Sequence, residues 1–206
     1  MTTKSTTTQR KTKSHSAEVI EGRLWIGSCT ASEDSEWIQQ NGITHVVDLT
    51  TDDEHEHDDE SGGERRVAIG NVVSRLRAPF RDSEEEEESN WKFKMKVIPV
   101  VIPFIRNAIL MTPPNGKVLI HCSAGRSRAP AVAIAFLMSC MSMSFREAWR
   151  LVSMKRSIHP NQGLIKSLLS LEVNSSSTAA AAAVVDRSPS ALRRSRSDFV
   201  LSTQVK

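Results

Sequence analysis

The sequence has 206 residues, 39% of them hydrophobic, and a formal net charge of +3. The two ends carry its excess of positive charge, which leaves the middle net negative and argues against a nucleic-acid-binding protein. It has three cysteines, no apolar N-terminal segment and no apolar stretch of about 18 residues, so we expect no disulfide framework, no secretory signal and no membrane span.

Composition divides the chain into three parts. Residues 1–16 are rich in Thr, Ser and Lys, and residues 174–206 are rich in Ser, Ala and Arg, so both ends are predicted to be disordered. The remaining part, residues 17–173, has the size of one domain of about 150 residues. In chain order it contains the patterns of strand 23–27, helix 32–42, strands 43–49, 72–80 and 117–121, and helices 128–141, 144–156 and 161–172.

This order predicts an α/β fold with a central, mostly parallel sheet flanked by helices. Ser32 is predicted to cap the first helix, and Ser144 begins the pattern of a capping box. The helical pattern over 92–110 contains Pro99 and Pro103. Because proline inside a helix removes a hydrogen bond and clashes with the preceding turn, we expect a kinked or interrupted helix there.

The turn after strand 117–121 reads Cys-Ser-Ala-Gly-Arg-Ser-Arg. Pro130 suits the first turn of the next helix, so the turn wraps around a helix N-terminus, where backbone N–H groups converge into an anion site. Gly125 permits backbone conformations closed to other residues, and Arg128 can bind two oxygens of a phosphate group. The same positive field favours the thiolate form of Cys122, which makes this residue a candidate nucleophile toward phosphorus.

The run His-Cys-Ser-Ala-Gly-Arg-Ser-Arg resembles the His-Cys-five residues-Arg signature of the protein tyrosine phosphatase superfamily. Its ending resembles the dual-specificity branch of that superfamily. The resemblance extends over about residues 18–173, with similar segments at 24–50 and 133–164. It implies the fold of this family, a protein tyrosine phosphatase-like α/β domain.

The resemblance also implies roles for further residues. Asp82, in the loop after strand 72–80, would act as general acid and then as general base, although a glutamate of the adjacent acidic run could take this role. His121 would help to hold the turn, and Asn161 would hydrogen-bond its backbone. Backbone N–H groups for the phosphate would come from Ser123, Ala124, Gly125, Arg126 and Ser127.

One position departs from the family pattern. The family usually has Ser or Thr directly after the arginine, and its hydroxyl bonds the cysteine thiolate and eases its departure in the second step. Ala129 cannot donate that bond, so we expect slower breakdown of the phosphoenzyme, with Ser127 as a candidate substitute.

The turn predicts a phosphatase that works through a phosphocysteine without metal or cofactor. The resemblance implies that it acts on phosphotyrosine and on phosphoserine or phosphothreonine in proteins. Its partner would be a phosphorylated protein such as a kinase, and we expect a monomer in the cytoplasm or nucleus. Two alternatives stay open. Ala129 supports a weakly active or inactive phosphate-binding module, and the second guanidinium of Arg126 supports a phosphatase for lipid or nucleotide phosphates.

Overall fold

The computed structural model describes residues 15–52, 72, 74–82, 86–111 and 116–172. The predicted disordered ends lie outside these residues, except that Ser16 already belongs to a strand. Most of the long charged connection that follows strand 43–49 in the sequence also lies outside them.

The core of the fold is a five-stranded sheet. Four of its strands were predicted, and β1 was not. The strands are β1 Ser16–Ile20, β2 Leu24–Gly27, β3 His45–Asp48, β4 Ser74–Arg77 and β5 Val118–His121. Their order is β1-β2-β5-β3-β4, with β1 antiparallel to β2 and every other pair parallel. The predicted α/β class with a mostly parallel sheet is therefore confirmed.

Strand β5 lies in the middle of the sheet because its first three residues are apolar and its fourth, His121, is also buried. Each of them is buried, as are all residues of the adjacent strands β2 and β3. Such continuous burial is typical of parallel strands that have helices on both faces. The sheet therefore presents the residues that follow β5 at its centre.

Seven helices complete the described part of the chain: α1 Cys29–Glu33, α2 Ser35–Asn41, α3 Glu86–Lys92, α4 Ile98–Arg106, α5 Arg128–Met141, α6 Phe145–Lys155 and α7, residues 162–172. One side of the sheet packs against α2 through a small cluster around Trp25 and Ile38. The main core lies on the other side and includes α5, whose first eleven residues are all buried. The predicted capping box of α6 is confirmed, with Ser144 and Glu147 bonded to each other's backbone.

The predicted cap of the first helix was wrong. Ser32 lies inside α1, where its hydroxyl donates to the carbonyl of Cys29 at 2.7 Å. Asp34 caps α2 instead, and its carboxylate accepts the N–H of Trp37 at 2.9 Å. Two adjacent short helices replace one longer helix because Asp34 breaks the helical conformation between them.

The segment with two prolines is an interrupted helix, as predicted. Wider π-helical turns at Phe93–Val97 and Asn107–Met111 flank α4. At the first of these turns the N–H of Ile98 donates to the carbonyl of Phe93, five residues back. Pro99 occupies the first turn of α4, where its missing N–H is tolerated, and Pro103 lies inside the helix.

The central sheet contains one buried carboxylate that sequence reasoning did not single out. Asp48, at the end of β3, is 2% exposed. It accepts hydrogen bonds from the amide and the hydroxyl of Thr50 at 3.0 and 2.5 Å and pairs with Arg75 at 2.8 Å. Burial raises the pKa of Asp48, but the nearby His121, Thr50 and Arg75 more than offset this effect and leave the pKa below its usual value.

Replacing Asp48 tests how much this network stabilises the fold. We expect Asp48→Asn to lower the free energy of unfolding at pH 7 by about 1–3 kcal/mol. Because the folded-state pKa is depressed, the contribution is complete above the ordinary value of 3.8 and is lost as the pH falls through the lower folded value. Urea unfolding at pH 7 and at a pH below the depressed folded-state pKa, well under 3.8, measures the difference, with the exposed Glu21→Gln as control. An equal difference at both pH values would contradict the ionic role.

Candidate active site

The loop Cys122–Arg128 connects the end of β5 to the start of α5, at the carboxyl edge of the parallel strands. Gly125 is required in it for two reasons. Its φ of +65° lies in the left-handed region, and an added Cβ would come within 2.5 Å of the carbonyl group of Gly27. The loop can therefore lie against the end of β2 only with glycine at this position.

Four consecutive carbonyl groups of this loop accept hydrogen bonds from residues outside it. The donors and acceptors are Cys29 N–H to Ser123 at 3.1 Å, Arg156 Nη2 to Ala124 at 3.1 Å, Arg156 Nε to Gly125 at 3.0 Å, and His159 N–H to Arg126 at 2.7 Å. These donors come from α1 and from the segment that follows α6. All four carbonyl oxygens are therefore held by the structure around the loop.

The outward carbonyls determine where the amides point. In a planar trans peptide the C=O of one residue and the N–H of the next have opposite directions. The N–H groups of Ala124, Gly125, Arg126 and Ser127 therefore point away from those external donors, toward the inside of the loop. Converging backbone N–H groups at a helix N-terminus form an anion-binding concavity. The predicted anion site therefore results from the orientation of four consecutive peptide planes, which turns their N–H groups inward.

Cys122 lies at the start of this loop and is 2% exposed. Its N–H donates to the carbonyl of Gly27 at 3.3 Å, which continues the pairing between β5 and β2 by one residue. Cys122, Cys29 and Cys140 are all free thiols. The sulfur of Cys122 thus belongs to a residue fixed by the sheet, next to amides turned toward the loop interior.

Arg128 connects the loop to two other segments. The side chain is 3% exposed, and its Nη1 donates to the carbonyls of Leu49 and Phe80, each at 3.0 Å. Leu49 follows β3, and Phe80 precedes the predicted general acid by two residues. The guanidinium plane is therefore fixed by the backbone, and one arginine holds the ends of two loops beside the anion site.

Asp82 and Asn161 contact each other, which the sequence did not predict. The amide of Asn161 donates to Oδ1 of Asp82 at 2.6 Å, and Oδ1 of Asn161 accepts the N–H of Leu164 at 2.8 Å. The second bond caps α7. It also fixes the orientation of the Asn161 side-chain amide, so that its NH2 group faces Asp82. His159, two residues before Asn161, contacts the Cys122–Arg128 loop. Asp82 is therefore hydrogen-bonded to a segment that itself contacts this loop. The predicted bond from Asn161 to the loop backbone stays a prediction.

Arg156 is the site residue that sequence reasoning missed. One guanidinium binds two consecutive carbonyls of the loop through Nε and Nη2. Burial lowers the pKa of Arg156, the neighbouring Cys122 raises it and the charge of Arg126 lowers it again, with a net downward shift. The sequence predicted a helix over 144–156, so it placed Arg156 in the last turn, whereas the structure ends α6 at Lys155 and gives Arg156 an extended backbone. The two bonds of Arg156 to the loop depend on tertiary packing.

His121, Arg126 and Ala129 occupy three different environments. His121 is 1% exposed, and its Nε2 is 3.6 Å from Oδ1 of Asp48, beyond normal hydrogen-bond length. Arg126 is exposed, so its side chain reaches solvent. Ala129 is completely buried in the first turn of α5 and contributes only a methyl group.

Within the described ranges, no three His, Cys, Asp or Glu side chains are grouped so that they could hold a metal ion. No helix among the same residues combines the length and the apolar character needed to cross a bilayer.

Comparison with known proteins places this site in context. The family model described as the catalytic domain of dual specificity phosphatases matches residues 24–174, which include all the predicted site residues. Human dual specificity protein phosphatase 13B is 31% identical over 165 residues, covering 80% of this chain and 76% of the human protein.

Solved structures agree on the fold. The crystal structure of human DUSP28 has a TM-score of 0.62 and 22% identity, and the match covers 80% of this chain and 97% of that one. The human tyrosine phosphatase-like serine/threonine/tyrosine-interacting protein has a TM-score of 0.62 and 26% identity, with 78% of this chain and 97% of that one covered. The parallel sheet and its flanking helices are therefore an arrangement already known from phosphatase-like proteins.

The contribution of Arg156 can be measured without turnover. We expect Arg156→Lys to weaken binding of tungstate, a tetrahedral oxyanion, by about tenfold, because a single ammonium group cannot reach two carbonyls as the planar guanidinium does. Calorimetric titration of tungstate gives the affinity. Arg150→Lys, an exposed arginine on α6, is the matched control. Equal tungstate affinities for Arg156→Lys and the wild type would show that the loop keeps its shape without the two hydrogen bonds of the Arg156 guanidinium.

Proposed function

Because the chain belongs to the dual specificity phosphatase family, we propose that it hydrolyses phosphotyrosine and phosphoserine or phosphothreonine in proteins through a phosphocysteine intermediate. The observation that carries this proposal is the ring of inward amides around the start of a helix, beside the buried thiol of Cys122. Such a ring suits three oxygens of a phosphoryl group while a fourth position faces the sulfur.

In the first step, the thiolate of Cys122 attacks phosphorus, and the bond from phosphorus to the substrate oxygen breaks. Asp82 gives its proton to that oxygen as it leaves. The inward amides and Arg128 stabilise the phosphoryl oxygens during the transfer. Since the Nη1 of Arg128 is held by two carbonyls, its Nε–Nη2 edge is the one proposed to bind the phosphoryl group.

In the second step, water attacks the phosphocysteine. Asp82, now a carboxylate, accepts the proton of this water, the P–S bond breaks, and the sulfur leaves as a thiolate with inorganic phosphate as the product. The contact with Asn161 supports this double role, because it fixes Oδ1 of Asp82 and so orients the rest of the carboxyl group. Neither step needs a metal, since backbone amides and guanidinium groups provide the positive charge.

The proposal includes the setting in which the protein works. Its substrates are phosphorylated proteins, kinases among them, and the protein acts as a monomer in the cytoplasm or nucleus. A catalytic thiol is kept reduced in those compartments, which supports this placement.

A second candidate function is a phosphate-binding module with little turnover. The observation in its favour is Ala129, a buried methyl group where the family usually carries a hydroxyl. The exposed side chain of Arg126 gives only weak support to a phosphatase for lipid or nucleotide phosphates. Rates on a phosphopeptide, a phosphoinositide and a nucleotide monophosphate separate that class from the proposed one.

The central test uses a small aryl phosphate at pH 5–7 in the presence of a metal chelator. We expect wild-type turnover, no turnover for Cys122→Ser, and a modest loss for Asp82→Asn on an ester of an acidic phenol. On phosphotyrosine, whose weakly acidic phenol leaves with a proton, we expect the loss for Asp82→Asn to reach about 10²–10⁴-fold, the range typical of general acid–base catalysis. Product release measured by absorbance gives the rates. Wild-type protein that binds a phosphopeptide but releases no phosphate would replace the enzyme proposal with the binding module.

The Asn161–Asp82 contact gives a separate prediction. If Asn161 positions the general acid, Asn161→Ala lowers kcat about tenfold for phosphate esters of poor leaving groups and much less for those of acidic phenols, which leave without a proton. Steady-state rates on an alkyl and an aryl phosphate measure this split. Gln162→Ala, an exposed neighbour, is the control. A loss that is equal for both substrates would indicate a purely structural role for Asn161.

A further inference from the structure

Helices α3 and α4, with the π-helical turn between them, expose an apolar stripe to solvent. The inner face of this segment is buried at every fourth residue, at Phe93, Val97, Val101 and Ile105. The outer face of such a segment is normally polar. Here Trp91 is 53% exposed, Met95 64% and Val100 51%, and Pro99 is exposed beside them. These four residues, the outer stripe, form an apolar surface of the kind that marks an interaction site.

The charge around the outer stripe changes sign along the helix. Glu87, one helical turn before Trp91, is exposed and belongs to an acidic run in the sequence at 84–88. The basic residues follow at Lys92, Lys94 and Lys96. The ammonium group of Lys96 lies 5.1 Å from the centre of the Trp91 ring, which places this charge on the stripe itself. The sequence has no acidic residue between 89 and 121, so the second half of the stripe is locally basic.

The outer stripe lies close to the proposed active site. Oδ1 of Asn90, which precedes Trp91, is 2.5 Å from the hydroxyl of Ser167 on α7. The same helix is capped by Asn161, whose amide binds Asp82. Asp82 and Trp91 are nine positions apart in the chain, which limits their separation to about 30 Å. One phosphorylated protein can therefore contact the site of Asp82 and the outer stripe together.

Size and charge decide which kind of molecule fits this surface. A second copy of the chain in a stable dimer would bury about 800 Å² on each partner, with roughly 20–30 residues a side, whereas the outer stripe has four. An anionic membrane would be attracted by the lysines but repelled by Glu87 and the acidic run beside it. A short peptide segment can place opposite charges against the two ends, and so satisfies both.

We infer that the outer stripe is a docking surface for a short segment of the phosphorylated protein substrate, a role that rests on the proposed function. The segment has a basic end that faces Glu87, apolar side chains that pack on Trp91 and Met95, and an acidic end that faces Lys96. Glu87 and Val100 are thirteen positions apart, about 20 Å along a helix. An extended peptide of about six or seven residues spans the same distance.

Binding of an unphosphorylated peptide tests the surface without turnover. The probe is fluorescein-labelled Lys-Lys-Leu-Ala-Leu-Glu-Glu, and fluorescence anisotropy gives its affinity for the full chain. We expect it to bind about fivefold more tightly than peptides in which both ends are lysine or both ends are glutamate. Trp91→Ala should weaken binding about tenfold, because a large aromatic contact is lost. Met95→Ala should weaken it less, and Met154→Ala, which removes an equally exposed methionine on α6, should leave it unchanged.

A charge reversal tests the direction in which the segment lies. We expect Lys96→Glu to weaken binding of the mixed-charge peptide about tenfold and to make the peptide with lysine at both ends the preferred one. Such a change of preference does not follow from a loss of folding. Arg150→Glu, at an exposed position on α6, is the control and should keep the wild-type preference.

The effect on the reaction is measured with a phosphotyrosine peptide joined to the same seven residues by a flexible linker that can span about 30 Å. We expect its KM to be about tenfold lower than that of the same peptide without the segment, with kcat unchanged, because the linker raises the effective concentration of the phosphate. Trp91→Ala should abolish this advantage and keep the wild-type rate on a small aryl phosphate.

The outcomes separate this inference from the proposed function. Mixed-charge peptide bound at Trp91 without any release of phosphate would support the docking surface and overturn the enzyme proposal. Turnover combined with equal affinities for the three peptides would overturn only the docking surface. Self-association in sedimentation that Trp91→Ala abolishes would assign the outer stripe to a second copy, and binding to phosphatidylserine vesicles that Trp91→Ala abolishes would assign it to a membrane. Either result would also overturn the inference.

Discussion

The arrangement of the site depends on four peptide carbonyls that point away from it. A loop of seven residues has no regular secondary structure to orient its amides, so their direction must come from outside. Cys29 at the start of α1, Arg156 after α6, and the N–H of His159 provide it. The packing of α1 and α6 around the end of β5 is therefore not only structural. It determines the direction of every amide that we propose to bind phosphate.

A second constraint ties the loop of Asp82, the proposed proton donor, to the elements around the Cys122–Arg128 loop. Arg128 holds the carbonyl of Phe80, and Asn161 holds the carboxyl group of Asp82 two residues later. Asn161 belongs to the same segment as His159, which contacts the loop. The loop that contains Phe80 and Asp82 is thus bound at both residues by elements that shape the anion site. Positioning of this kind lets two separate loops act on one phosphorus atom.

How far the sequence predicted this arrangement depends on the range of the interaction involved. Local signals were sufficient for the buried strand β5, the capping box of α6 and the interrupted helix around Pro103, because each depends on neighbouring residues. β1 was missed because it is half-buried and lies at the sheet edge, so its sequence has no continuous apolar run. Arg156, Asp48 and the Asn161–Asp82 contact could not be found this way, since their partners lie 27 to 79 residues away in the chain. The predicted residues from His121 to Arg128 came from one compact motif, and Asp82 and Asn161 came from the family resemblance.

Charge distribution bears on which phosphate esters the site would receive. The loop itself carries Arg126 and Arg128 and is bound by Arg156, while residues 17–173 as a whole are net negative. The local field attracts a single phosphate at short range, and the wider field opposes polyanions such as nucleic acids and anionic membrane surfaces. A phosphorylated side chain on a neutral or basic protein satisfies both conditions. A protein substrate is therefore favoured over a lipid, because the single positive charge of the exposed Arg126 is opposed by the net negative charge of residues 17–173.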